Sequence, residues 1–372
     1  MTGRTAEAGV GGPSPLLLAV AGSAAVATAF GMARYGYGLL LPDIQDDLAL
    51  GLGTLGVIGT LAYAAYLLAT VLVVRCVERA GHRATVVGGG LLAVAGTTVV
   101  ALADGPVPLG AGAAVAGASA GFVYAPFGDA VDRLPPVERA RTLATISCGT
   151  GWGVAVAAPI AVLTGDAWRI AYLGFAGCAL LSTLLSARTL PGRTTTTAAP
   201  PASAPGRRPS ALPMFAAALL IGLGSATFWT FAIDHVRDAG LDQAAGRILL
   251  GVAGITSLAG LAAADVIARL GARLTFVLTA LLEAAAIAAI AVAPDDLTAV
   301  LIAAATGMQG VGLLFGPLTG GVLAETTSLT SALLGGASIV AAAALLAPRS
   351  DLLEARSRAP RRTEGRGNGV RW

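Results

Sequence analysis

Few residues in this chain could do chemistry, and the foremost is an arginine set in an apolar stretch. Arg34 follows Phe30-Gly31-Met32-Ala33 and precedes Tyr35-Gly36-Tyr37-Gly38. Placing an arginine in hydrocarbon costs at least about 2.5–3.5 kcal/mol on insertion scales, so such residues commonly serve a function. Here it could be an anion-binding or coupling residue, with Tyr37 beside it. The alternative is a side chain that snorkels outward to Asp43 or to lipid headgroups. On a regular helix Phe30, Tyr37 and Leu41 share its face, at offsets of −4, +3 and +7.

Glu283 is the second candidate, surrounded by Ala and Ile. An unpaired carboxyl in such surroundings favours its neutral form and is a candidate proton carrier. A paired or neutral structural acid is the alternative. Tyr63, Tyr66, Tyr124, Phe228 and Trp229 are candidates to line an interior cavity; Tyr and Trp also serve as anchors at membrane interfaces. Gln309 could contact a solute or join two helices. Asp129, Asp265, Asp234 and His235 fall near the ends of apolar stretches, where charge is readily solvated.

Other chemistries find no support. His82 and His235 are far apart, and Cys76, Cys148 and Cys178 have neither metal nor disulfide spacing. The absence of lysine excludes a phosphate-binding loop of the GxxxxGK type, and with it ATP-driven work by this chain alone. Gly51-Leu-Gly53-Thr-Leu-Gly56 fits GxGxxG, but no strand precedes it. No nucleophile–base pair is visible, so no enzyme and no cofactor is expected. Net charge is only +3, with no basic patch interleaved with aromatics, so nucleic acid is not an expected partner.

The elements that must position these residues are membrane helices. The chain is 55% hydrophobic and 12% charged, against about 25% charged in soluble domains. A hydrocarbon core about 30 Å thick needs roughly 20 apolar residues per helix. Eleven stretches qualify: 15–40, 54–74, 84–103, 107–130, 141–163, 168–187, 212–234, 247–268, 273–293, 297–323 and 328–347. Their many glycines and alanines let helix backbones approach closely. The first stretch is signal-like but runs on to about residue 40, so it reads as a retained helix.

Arginines concentrate in alternate loops: Arg75, Arg79 and Arg83; Arg139 and Arg141; Arg188 and Arg193; Arg269 and Arg273. The intervening loops hold Asp43, Asp46 and Asp47, then Asp104, then Asp295 and Asp296, and the loop after the seventh stretch is mixed, with Asp234, Arg237, Asp238 and Arg247. The positive-inside rule therefore places the N-terminus in the cytoplasm. The tail carries seven arginines from Arg349 to Arg371, which conflicts with the outside location that eleven spans require.

Residues 191–211, rich in Pro, Thr and Ala, read as a linker. They separate an N-terminal block (1–190) from a C-terminal one (212–348), followed by a basic disordered tail (349–372). Arg79-Ala80-Gly81-His82-Arg83 and Arg269-Leu270-Gly271-Ala272-Arg273 repeat Arg-x-Gly-x-Arg at matching places in the two blocks. Gly81 precedes Pro159 by 78 residues, whereas Gly271 precedes Pro317 by 46. If the prolines correspond, the second block lacks about one helix and its loop. If they do not, the tenth stretch is simply long.

Two such helical blocks joined by a linker resemble the major facilitator superfamily. Its loop between spans 2 and 3 is matched at Arg79, Gly81 and Arg83, with Glu78 replacing the usual Asp. Gly312, Gly316, Pro317, Gly320 and Gly321 resemble the superfamily's Gly-x-x-x-Gly-Pro-x-x-Gly-Gly packing run. The segment from Phe30 to Pro42 looks like the span-1 signature of the YbfB-like branch. No Arg occurs in span 4, which departs from many drug–proton antiporters of the superfamily.

The resemblance implies an all-α polytopic protein of two pseudo-symmetric six-helix bundles, the second one helix short, acting as a monomer in the bacterial inner membrane. It implies a secondary transporter of a small organic solute, alternating access between its bundles and coupled to protons. Arg34 leans the solute toward an organic anion. Glu78, Arg79, Gly81 and Arg83 become a gating element that holds the cytoplasmic side closed. The shortened second half keeps open an alternative, a decayed paralogue or a sensor built on the same scaffold.

Overall fold

The computed structural model describes residues 14–132, 134–190, 192, 212–256, 269–293 and 329–346, with positions 258, 261 and 266. Every regular element among them is helical. The order is α1 (Pro15–Val26), a π-helical segment (Ala27–Met32), α2 (Gly36–Leu39), α3 (Leu41–Leu48), α4 (Leu52–Ala80), α5 (His82–Ala101), α6 (Pro106–Val131), α7 (Pro136–Ser147), α8 (Gly149–Thr164) and α9 (Trp168–Thr189). After the linker come α10 (Leu212–Asp238), α11 (Gln243–Thr256), α12 (Ala272–Val292) and α13 (Leu329–Ala343), which ends in a 3-10 turn (Ala344–Leu346).

Local chemistry sets the boundaries. The Ser14 hydroxyl accepts from the Leu17 amide (3.2 Å) and caps α1, with Pro15 in its first turn. Pro106 opens α6 in the same way. Gly81 and Gly271 each stand in a glycine-only conformation, with φ 85° and ψ 166° at Gly81 and φ 78° and ψ 152° at Gly271. The two repeats seen in the sequence therefore make the same turn in the backbone.

Seven helices among the described residues are long and apolar enough to cross a membrane: Pro15–Met32, Leu52–Ala80, His82–Ala101, Pro106–Val131, Arg141–Thr164, Trp168–Thr189 and Arg273–Val292. Of the other expected spans, α10 covers 212–234, α11 opens 247–268, α13 covers most of 328–347, and 297–323 lies outside the described residues. The linker and the basic tail also lie outside them. Apolar side chains face outward along whole helices, as Val57, Leu61, Leu68 and Val71 do on α4. Contiguous apolar surface of this kind is what a bilayer covers. This is a multi-pass membrane protein.

The expected first span, 15–40, is not one helix. It widens into the π segment, turns at residues 33–35 and resumes as α2. The π segment lies against α8, where the backbones nearly touch: a Cβ on Gly31 would stand 2.4 Å from Gly153 Cα. α5 packs on α6 and α9, and α4 packs on α6. α13 packs on α10 and α12. Contacts between the first and second parts of the sequence run through α8 against α11, and through α2 and α3 against α10.

Candidate functional site

The break in the first span aims Arg34 inward. Two amides bond five residues back, Ala33 to the Thr28 carbonyl (2.9 Å) and Tyr35 to the Phe30 carbonyl (3.0 Å). The extra residue per turn rotates everything after it, so the regular 3.6-residue face no longer holds. Such π-bulges are frequent at functional sites.

Arg34 is 5% exposed. Its Cζ lies 4.3 Å from the centroids of both Tyr63 and Tyr66, 5.4 Å from Tyr35 and 5.6 Å from Phe30. An always-charged guanidinium is thus held by the negative faces of aromatic rings. Among the described residues no carboxylate forms an ion pair with it, and its Nε and Nη2 have no hydrogen-bond acceptor. The outward snorkelling toward Asp43 considered from sequence does not occur, because Asp43 pairs elsewhere.

The aromatic cage continues across the chain's midpoint. Tyr35 stacks at a tilt on Trp229 of α10, with centroids 4.8 Å apart, and Phe228 meets Trp229 edge-on at 5.3 Å. The backbones are close here too, since a Cβ on Gly38 would overlap the Trp229 carbonyl. Among the described residues, the Tyr35 hydroxyl and Trp229 Nε1 are buried without partners. Glu283 of α12 is buried and accepts a hydrogen bond from Ser225 of α10.

The structure therefore gathers Arg34, Tyr63, Tyr66 and Trp229 of the sequence candidates, with Phe228 and Glu283 beside them. Tyr37 is not part of the cage. The π turn carries it toward α4, where its hydroxyl donates to the Leu55 carbonyl at 2.9 Å. Tyr124 is exposed and shares a hydrogen bond with Ser147 (2.8 Å). Gln309 and the packing run Gly312, Gly316, Pro317, Gly320 and Gly321 lie outside the described residues. In the α4–α5 turn Glu78, Arg79 and Arg83 are exposed, and among the described residues none makes an ion pair. His82 beside them contacts Asp129 at 3.4 Å.

A second polar cluster closes one end of the molecule, where α3 meets the loops after α5, α8 and α10. Asp43 and Arg247 are both buried and pair at 2.5 Å. Arg247 also donates to the carbonyls of Ala161 (3.0 Å) and Gly165 (3.1 Å). Arg237 bridges Asp46 and Asp234, each at 2.8 Å. Asp47 accepts from Arg169 (2.5 Å) and from Trp168 Nε1 (3.2 Å). The Arg169 hydrogen bond holds the Asp47 carboxyl below the usual carboxylate range. Two of these pairs join α3 to the second part of the sequence.

Sequence reasoning passed over Tyr35, Ser225, Asp43, Arg247 and Arg169 as site residues. Tyr35 was hidden by the assumption of a regular helix. The charges fall at or near the ends of the apolar stretches, where solvation is the ordinary expectation. One signal was available: Arg169 and Arg247 each stand at the head of an otherwise apolar helix on the acidic side.

The sequence pattern of the Major Facilitator Superfamily matches residues 23–308. Among curated proteins none matches the chain. The fold is similar to that of the nucleoside transporter NupG, with a TM-score of 0.65 and 13% identity over 89% of this chain and 97% of that one. It is also similar to a bacterial homologue of the human lysosomal transporter Spinster, in an inward-facing and unoccupied conformation. That match has a TM-score of 0.62 and 14% identity over 92% of this chain and 95% of that one.

Proposed function

The chain belongs to the major facilitator superfamily, and from that membership we propose that it is a secondary transporter carrying a small organic solute by alternating access. Its working parts in this reading are two bundles, 1–190 and 212–348, joined by the 191–211 linker, with the basic 349–372 tail behind them. The shared turn geometry at Gly81 and Gly271 supports the pseudo-symmetry. In this reading the N-terminus is cytoplasmic and the membrane is the bacterial inner membrane, as the arginine-rich loops support, and the span-1 motif supports a place in the YbfB-like branch.

The observation that carries the proposal is the buried Arg34, ringed by aromatics and without a carboxylate partner among the described residues, beside the Tyr35–Trp229 contact between the two parts of the chain. Substrate sites in transporters of this kind lie at such a junction. The Asp43–Arg247 and Asp46–Arg237 pairs act as the outer gate, shut in this conformation. Glu283 is the proton carrier: deprotonated, it adds a negative charge near the cage, and protonated, it does not. The α4–α5 turn at Glu78, Arg79, Gly81 and Arg83 serves the cytoplasmic gate in other conformations.

A second reading, a non-transporting relative, is favoured only by the short interval from Gly271 to Pro317. Purified protein in proteoliposomes under an imposed pH gradient tests the first. Flux of some solute in a metabolite panel, lost with Arg34→Ala, is the expected result. No flux across the panel under either polarity of gradient would sink it.

A further inference from the structure

The unpartnered polar atoms in the central cluster share one chemical character. Arg34 Nε, Arg34 Nη2 and Trp229 Nε1 can only donate, and the Tyr35 hydroxyl can donate as well. Arg34, Trp229 and Tyr35 are 5%, 8% and 3% exposed and adjoin one another, Tyr35 standing 5.4 Å from the guanidinium and 4.8 Å from the Trp229 ring. Buried donors left unmet are costly, and native proteins rarely keep several together. Among the described residues, the Nε/Nη2 edge of Arg34 and Trp229 Nε1 meet no acceptor.

The two unmet arginine donors matter individually. Nε–H and the Nη2–H on the same edge of the guanidinium run parallel, at the spacing of the two oxygens of one carboxylate. A dianion would leave a second charge unbalanced in a low-dielectric site, where charge is expensive. Around this fork the walls are the rings of Phe30, Tyr63 and Tyr66, which suit an apolar or planar body.

We propose that the solute is an organic monocarboxylate whose carboxylate takes the Nε/Nη2 edge of Arg34 and the donors of Tyr35 and Trp229. This rests on the transporter reading, but binding and movement can be measured apart.

The test is thermal unfolding of the full chain in detergent, titrated with sodium formate, acetate, benzoate and indole-3-acetate. The matching amides and dimethyl phosphate are compared at equal ionic strength. The acids are expected to raise the unfolding temperature in a saturable way, benzoate and indole-3-acetate most, while the amides do not. Arg34→Gln should lose the response. Tyr35→Phe and Trp229→Phe keep a ring and remove one donor each, so each should weaken binding by roughly tenfold. These two variants carry the test if Arg34→Gln does not fold.

Equal responses to acids and amides would overturn the assignment. So would an unchanged response in the three variants, a stronger response to dimethyl phosphate, or no response to any acid. Acids that bind but never cross proteoliposomes would leave the carboxylate site standing and remove the transporter. Neutral solutes that cross while no acid binds would do the reverse.

Discussion

Asp43 and Arg247 form a buried ion pair, 2.5 Å between Oδ2 and Nη2, although 204 residues of sequence separate them. The pair fastens the start of α3 to α11. The two backbone carbonyls that also accept from Arg247 belong to the end of α8 and the residue just beyond it. Breaking one partner of such a pair leaves a buried charge and typically costs about 3–5 kcal/mol. Asp43→Asn should therefore lower the unfolding temperature sharply, and the swap Asp43→Arg with Arg247→Asp should recover part of the loss. A double-mutant cycle measures this coupling. If the single variants lose nothing, the pair is not a latch.

The charge of Arg34 is only half of its fitness for the site. Lysine keeps the charge but loses the planar fork and most of the stacking on Tyr63 and Tyr66. Arg34→Lys should raise KM for the transported solute by tenfold or more, equivalent to roughly 1.4 kcal/mol or above. The kinetic split is informative, because a residue that only holds helices together would change the amount of folded protein instead.

Gly81 and Gly271 should both resist substitution, for a reason confined to the backbone. Their φ values of 85° and 78° with extended ψ belong to glycine, and forcing alanine there costs of order 1–3 kcal/mol. At Gly271 there is open space for a Cβ, so the whole penalty is conformational. Gly105 is the control: its φ of −176° is ordinary extended backbone, and space is open there too. Gly105→Ala should change stability by less than about 0.5 kcal/mol. Thermal unfolding of the three variants settles the comparison.

What could be read in advance follows a physical division. Membrane helices, the Arg34 candidate and the Arg-x-Gly-x-Arg turns were legible because burial pattern and glycine chemistry act locally. The partners of Arg34 were only partly so. Tyr63 and Tyr66 stand out as tyrosines in apolar sequence, but exchanging Tyr37 for Tyr35 needs a π-helical turn that no residue pattern in 27–32 announces. The Asp43–Arg247 pair was illegible for another reason. Asp43 and Arg247 look like loop charges until tertiary contact removes their water.

The acidic end should also give the protein a pH response. Asp47 has its folded pKa depressed, chiefly by the hydrogen bond from Arg169. A carboxylate of this kind contributes stability above its unfolded pKa of about 3.9. That contribution is lost as pH falls through the folded value. The unfolding temperature should fall below about pH 4, and Asp47→Asn should flatten that part of the profile. Because Asp47 is 44% exposed, the effect is screened and small. An unaltered profile in Asp47→Asn would assign the acid sensitivity elsewhere.

The proposed proton coupling places the strongest demand on Glu283. The residue is 2% exposed and accepts from Ser225 on α10, the helix whose Trp229 touches Tyr35 beside Arg34. If its proton is what admits an anion, a permanently neutral side chain should uncouple the two events. Glu283→Gln should keep binding and solute exchange at equal concentrations. It should lose accumulation driven by a pH gradient, as measured in proteoliposomes preloaded with solute. Ser225→Ala removes the hydroxyl but leaves the carboxyl, so it should shift the pH dependence of uptake without abolishing accumulation. A Glu283→Gln protein that still concentrates solute against a gradient would move the proton to another group and leave Glu283 as a structural acid.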